Sequence, residues 1–110
     1  KKDKKGEGMK KIKLASDIIK VTENMIKAQI KDVLALKHIF NFPLLQALGA
    51  YRGVPDRIIH YQQKVIYLEI KTPKGKMSQH QQEFQRQCVE DGIDYYVVSS
   101  VEELEQCLKK

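Results

Sequence analysis

Three residues of this 110-residue chain have the types and the spacing to do chemistry together: Asp56, Glu69 and Lys71. They lie in the stretch GVPDRIIHYQQKVIYLEIK, from Gly53 to Lys71, which reads as a β-hairpin with its turn in Gln62 to Lys64. Side chains alternate faces along a strand. Val65, Tyr67, Glu69 and Lys71 therefore share one face of the second arm, and Ile66, Leu68 and Ile70 the other. Register decides where Asp56 goes. A two-residue turn at Gln62-Gln63 or Gln63-Lys64 makes the numbers of facing residues sum to an odd value, and Asp56 then joins Glu69 and Lys71. An even sum turns it away. Two carboxylates and a lysine on one face are the set that magnesium-dependent phosphodiester hydrolysis needs. Taken singly, Asp56 also suits a turn cap after Pro55, and Glu69 and Lys71 a pair of solvated strand charges.

The elements around the hairpin must hold this face in place. Thr22 is a candidate N-cap for a helix beginning around Ser16 to Thr22, with Ile26, Ile30, Val33 and Leu34 as its inward stripe. Glu23 lies in line with that stripe. It suits either a first-turn glutamate that favours the helix dipole or a carboxylate aimed at something positive. His38 to Phe42 (HIFNF) predicts a short strand ended by Pro43. Leu44 to Tyr51 is apolar and ambiguous between a helical turn and a loop. Thr72 to Met77 is a basic connection in which Lys74 and Lys76 lie where a phosphate backbone would arrive. Ser78 to Gln81 is a capping box that opens the next helix. Gln81 shares a face with Phe84 and Cys88, so its amide is also expected to orient a lysine or a water. Gly92 is the expected helix stop, Asp94 to Val98 a buried strand, and Ser100 to Glu103 a second capping box before a last helix. The order is αβββαβα, a mixed β-sheet flanked by α-helices in an α/β fold.

Composition sets the outer bounds. The net charge is +6, but seven lysines against Asp3 and Glu7 in Lys1 to Lys13 supply most of it. The remaining residues carry 13 basic and 12 acidic side chains. Residues 1–15 are therefore expected to be a flexible basic arm and residues 16–110 the folded domain. No apolar run approaches the ~20 residues of a membrane span, so no membrane partner is expected. Cys88 and Cys107 have no metal-site spacing and read as reduced thiols of a cytoplasmic protein. His38, His60 and His80 form no zinc motif, and there is no glycine-rich phosphate loop.

At this point the chain resembles a known family. Pro55-Asp56 followed by Glu69-x-Lys71 resembles the PD-(D/E)XK nuclease superfamily, whose core is the restriction-endonuclease-like fold. Gly53-Val54-Pro55-Asp56, Leu68-Glu69-Ile70-Lys71, Gly75-Lys76-Met77-Ser78 and Gln81, in that order, look like the VRR-NUC (virus-type replication-repair nuclease) domain of its stand-alone viral or bacterial type. The helix carrying Glu23 fits the same pattern, as do Gly92 and Tyr96 to Ser99. The likeness covers about Thr22 to Leu108. The short apolar segment between Asn41 and Gly53 departs from larger members, where it is longer and more polar.

The resemblance implies roles. Glu23, Asp56, Glu69 and the backbone carbonyl of Ile70 would bind Mg²⁺ or Mn²⁺, which oxygen-only ligands favour over zinc. Such an ion lowers the pKa of a bound water from ~15.7 toward neutrality. Lys71 would place that water and offset charge on the phosphorane. Gln81 would hold Lys71 or the water, and Lys74, Lys76 and Ser78 would meet nucleic acid. The expected function is structure-selective DNA cleavage at four-way junctions by a homodimer, with Phe42 to Tyr51 as candidate interface. The alternatives are a monomeric nuclease for flaps or other branched DNA and a non-catalytic DNA-binding module. The expected setting is the cytoplasm, that of the host cell if the protein is viral.

Overall fold

The computed structural model describes residues 21–110; the basic arm and the first residues of the domain lie outside them. Helix α1 spans Glu23–Leu36. Thr22 caps it, its hydroxyl oxygen accepting the Met25 N–H at 3.1 Å. Ile26, Ile30 and Leu34 are buried at successive turns, while Val33 is only half-buried. The helix ends in a Schellman turn. His38 adopts a left-handed φ of 57°. Its N–H donates to Ala35 O, and that of Ile39 to Leu34 O, both at 3.0 Å. This corrects the strand expected over His38 to Phe42. The apolar run is divided: its first residue stops a helix, Ile39 packs on the core, and strand β1 is only Asn41–Pro43. Pro43 is tolerated because β1 is an edge strand.

Strands β2 (Arg57–Tyr61) and β3 (Lys64–Ile70) form the hairpin. Tyr61 faces Lys64 and Arg57 faces Leu68. The turn is Gln62-Gln63, with φ of 50° and 66°, the doubly positive pattern of a two-residue turn that matches strand twist. Helix α2 (Gln79–Glu90) then carries the chain to β4 (Asp94–Val98), which lies parallel to β3. Such a pairing needs a crossover of this kind. Gly92, at φ 70°, lets the chain leave α2 for β4. Helix α3 spans Val101–Leu108. The sheet order is β1-β2-β3-β4, antiparallel except for the last pair.

The core lies on one face of this mixed sheet. Ile59, Ile66, Leu68, Ile70 and Val98 meet Ile26, Ile30 and Leu34 of α1 and Leu104 and Leu108 of α3. The opposite face is covered by α2, through a different kind of contact. Phe84 packs edge-on against Tyr67 at 5.3 Å and Tyr51 at 5.9 Å, and lies 6.1 Å from Tyr95. Glu69 belongs to this second face, so burying the aromatic cluster buries a carboxylate with it.

Candidate active site

The hairpin register brings Asp56 opposite Glu69. The ladder continues one step beyond β2, where the Asp56 N–H donates to Leu68 O at 2.9 Å. The Asp56 carboxylate then reaches across and accepts the Ile70 N–H on Oδ2 at 2.7 Å. That bond fixes the carboxylate against the backbone of β3.

Gly53 explains how the first arm is seated. It has φ of 82°, and a Cβ there would lie 2.4 Å from the carbonyl carbon of His80 and 2.7 Å from the Gln81 nitrogen. The Gly53 backbone is thus pressed on the start of α2, in a conformation L-residues rarely adopt. Gln46 secures the same loop, accepting the Gly53 N–H at 3.1 Å and donating to Tyr51 O at 3.2 Å.

Glu69 is 1% exposed, the one charged side chain that is buried among the described residues. Its Oε2 accepts from Gln81 Nε2 at 3.0 Å and lies 3.4 Å from Lys71 Nζ. Its Oε1 is buried with no hydrogen-bond partner, an arrangement that costs free energy unless a cation or donor reaches it. Burial, and next the charge of Asp56, push the Glu69 carboxyl up to about 7, against the opposing pull of Lys71.

Gln81 serves two structures at once. Its Oε1 accepts the Ser78 N–H at 2.8 Å while the Ser78 hydroxyl accepts the Gln81 N–H at 3.1 Å, completing the capping box. With its acceptor committed there, its NH₂ can only donate. It therefore binds the Glu69 carboxylate rather than the Lys71 ammonium, which has no lone pair to offer. Gln81 was expected to hold Lys71 or a water; its amide makes no bond to Lys71, and both side chains converge on one oxygen of Glu69.

Glu23 reaches the same cleft by way of Lys27, a residue the sequence reading passed over. Lys27 Nζ lies 3.2 Å from Glu23 Oε2 and 3.0 Å from Asp56 Oδ1. Burial alone would lower the Lys27 pKa, but its hydrogen bonds to and attraction by Asp56 and Glu23 outweigh that and raise it. The one available signal was the i,i+4 spacing of Glu23 and Lys27 on α1. Glu23, Lys27, Asp56, Glu69, Ser78 and Gln81 line a cleft of about 570 Å³, with Arg52 and His80 also on its wall. Lys74 and Lys76 are exposed and do not line it. Ser78 does, with its hydroxyl oxygen engaged in the cap.

Three carboxylates, an acceptor-only set, suit a hard divalent cation, and the orphaned Glu69 Oε1 fits one. Among the described residues, however, no three Asp, Glu, His or Cys side chains are gathered closely enough to hold an ion as they stand. Between Glu23 and Asp56 the cation is Lys27.

No family model matches the chain. No curated protein matches it either. Among solved structures, one described as a "VRR_NUC domain" superposes with a TM-score of 0.68 over 81% of this chain and 97% of that one, at 18% identity. The chain thus has an α/β fold of the VRR_NUC type, with four strands and flanking helices. The motifs GVPD, LEIK and Ser78-x-x-Gln81, which resemble that family in sequence, fall on a fold of the same kind.

Proposed function

We propose that the protein is a metal-dependent nuclease that hydrolyses phosphodiester bonds in DNA. The observation that carries this reading is Glu69: a buried carboxylate with one unpartnered oxygen, lining one cleft with Asp56, while Lys71, which does not line that cleft, contacts its other oxygen. A structural ion pair has no use for a buried orphan oxygen, whereas a metal ligand does. Glu23, Asp56, Glu69 and the Ile70 carbonyl would hold Mg²⁺ or Mn²⁺, which supplies Lewis-acid polarisation of the scissile phosphate and a more acidic water.

The chain's own residues supply the rest. Asp56 is anchored by the Ile70 N–H, so its geometry does not depend on substrate. Gln81 and Lys71 fix Glu69 in one rotamer by sharing Oε2, which leaves Oε1 for binding. Lys71 is largely buried, with 14% of its side chain exposed. Its ammonium therefore sits in a poorly solvated place, where it offsets negative charge growing on the phosphate oxygens more strongly than it would in water. Lys74 and Lys76, exposed beyond β3, would track the DNA backbone outside the cleft.

Within this reading the substrate is branched DNA, with four-way junctions preferred, and the acting species a homodimer. Support comes from the Phe42 to Tyr51 segment, which leaves Leu45 77% and Leu48 fully exposed. Two symmetry-related sites would cut a two-fold substrate twice. Cys88 and Cys107 are free thiols, which suits a cytoplasmic setting. Among the described residues no helix is long and apolar enough to cross a membrane.

The test is a panel of duplex, single-strand, flap and four-way-junction DNA with Mg²⁺, Mn²⁺ or EDTA. Metal-dependent cleavage with the junction cut best is expected. DNA binding without cleavage under every metal would replace this reading with that of a binding module.

A further inference from the structure

Lys27 stands apart from the other cleft residues because its role does not follow from phosphodiester chemistry. It projects from the first turns of α1 into the cleft, with 38% of its side chain exposed. Its ammonium touches carboxylate oxygens of two separate elements, Glu23 on α1 and Asp56 ahead of β2. These are two of the three carboxylates that the nuclease reading gives to the metal. The second oxygen of Asp56 is already taken by the Ile70 N–H. Oδ1 is the Asp56 oxygen with no backbone bond, the better placed of the two for an ion, and Lys27 now holds it.

Resting on that reading, we infer that Lys27 is a built-in competitor of the divalent ion: its single charge partly offsets Glu23 and Asp56 in the free protein, and it must give up those contacts for the ion to be held by both. Three acidic side chains in one cleft repel one another without a counter-charge. A tethered ammonium reduces that repulsion at no cost in association entropy. It also lowers metal affinity, because each ion bound breaks two charge-assisted hydrogen bonds. Lys27 is thus a positioning residue that sets the loading of the site. Lys71 differs from it: Lys71 contacts Glu69 on the oxygen away from the orphan, so it has no need to leave.

Mn²⁺ binding to the full chain, without DNA, separates this role from a structural one. The loss of the free-ion electron paramagnetic resonance signal gives the affinity for wild type, Lys27→Met and Lys27→Arg, with circular dichroism to confirm folding. Lys27→Met is expected to bind Mn²⁺ roughly tenfold more tightly, a factor discounted for the solvent exposure of both ion pairs. Lys27→Arg should return to the weak binding of wild type, since a guanidinium can hold the same two carboxylates. Equal or weaker binding by Lys27→Met would overturn the inference and leave Lys27 as a prop for Asp56. Absence of Mn²⁺ binding in all three proteins would overturn it together with the metal-dependent reading on which it rests.

Discussion

At the scale of single residues, the nuclease proposal gives Glu69 and Lys71 separate parts, and each can be measured. Glu69 titrates near 7 in the fold against 4.5 for a free glutamate. A raised carboxyl pKa means that the folded state binds the proton more tightly than the unfolded state. The resulting penalty is absent below about pH 4.5, grows as pH rises toward 7, and is constant above. Glu69→Gln in EDTA should therefore raise stability by on the order of 3 kcal/mol at pH 8, with the gain fading toward pH 5. Urea unfolding at several pH values checks this; a gain that does not change with pH would mean that Glu69 is not strained by ionisation. The same substitution should abolish cleavage. Lys71→Ala should also lower the cleavage rate, by about 10²-fold or more, while leaving Mn²⁺ and DNA affinity within a few-fold of wild type. Single-turnover kinetics beside equilibrium binding would expose a wrong assignment, because near wild-type rates would make Lys71 a plain strand lysine. Much of this was legible in the sequence, since strand alternation places Glu69 and Lys71 without help from the rest of the chain. Lys27 was not. Its importance comes from Asp56, which is distant in the chain, and the Glu23–Lys27 spacing alone looks like any helical ion pair.

At the scale of elements, the site depends on the contact between the Gly53 loop and the start of α2. Only the face was readable: a two-residue turn at either Gln62-Gln63 or Gln63-Lys64 puts Asp56 with Glu69 and Lys71, and the fold takes the first, with positive φ at Gln62 and Gln63. The end of α1 was not, because HIFNF has the composition of a strand and nothing in it marks His38 as the left-handed residue of a Schellman turn. Gln46 was equally silent: its two hydrogen bonds to the loop depend on a close approach that only the fold creates. Gly53 carries that approach. A methyl group there would collide with backbone atoms of His80 and Gln81, which cannot rotate away as a side chain can. Gly53→Ala should therefore cost on the order of 3 kcal/mol in stability. It should also shift Gln81 off Glu69, so that activity falls more than stability does. Denaturant melts paired with cleavage assays test this, and a substitution costing under about 0.5 kcal/mol would mean that the contact is loose.

At the scale of the whole molecule, the apolar surface is unevenly spent. Among the described residues, helices α1 and α3 pack on one face of the sheet and α2 on the other. Among the exposed apolar residues, one group lies around β1 and the segment that follows it. Phe40, Leu45, Leu48 and Tyr51 are all more than half exposed. Tyr51 is partly used, through its edge contact with Phe84, but Leu48 is fully exposed. Burying an exposed leucine is worth roughly 1.5–3 kcal/mol, so a self-complementary patch built on such residues can hold a two-fold dimer. Sedimentation at micromolar concentration is expected to show a homodimer. Leu48→Asp should yield a monomer with an unchanged Tm, because the side chain is fully exposed among the described residues. Its paired cutting of a four-way junction should drop, since one site nicks one strand, while nicking of flaps should persist. A wild-type protein that sediments as a monomer and cuts flaps best would place it with single-site flap nucleases and leave the Leu45 and Leu48 surface for another partner.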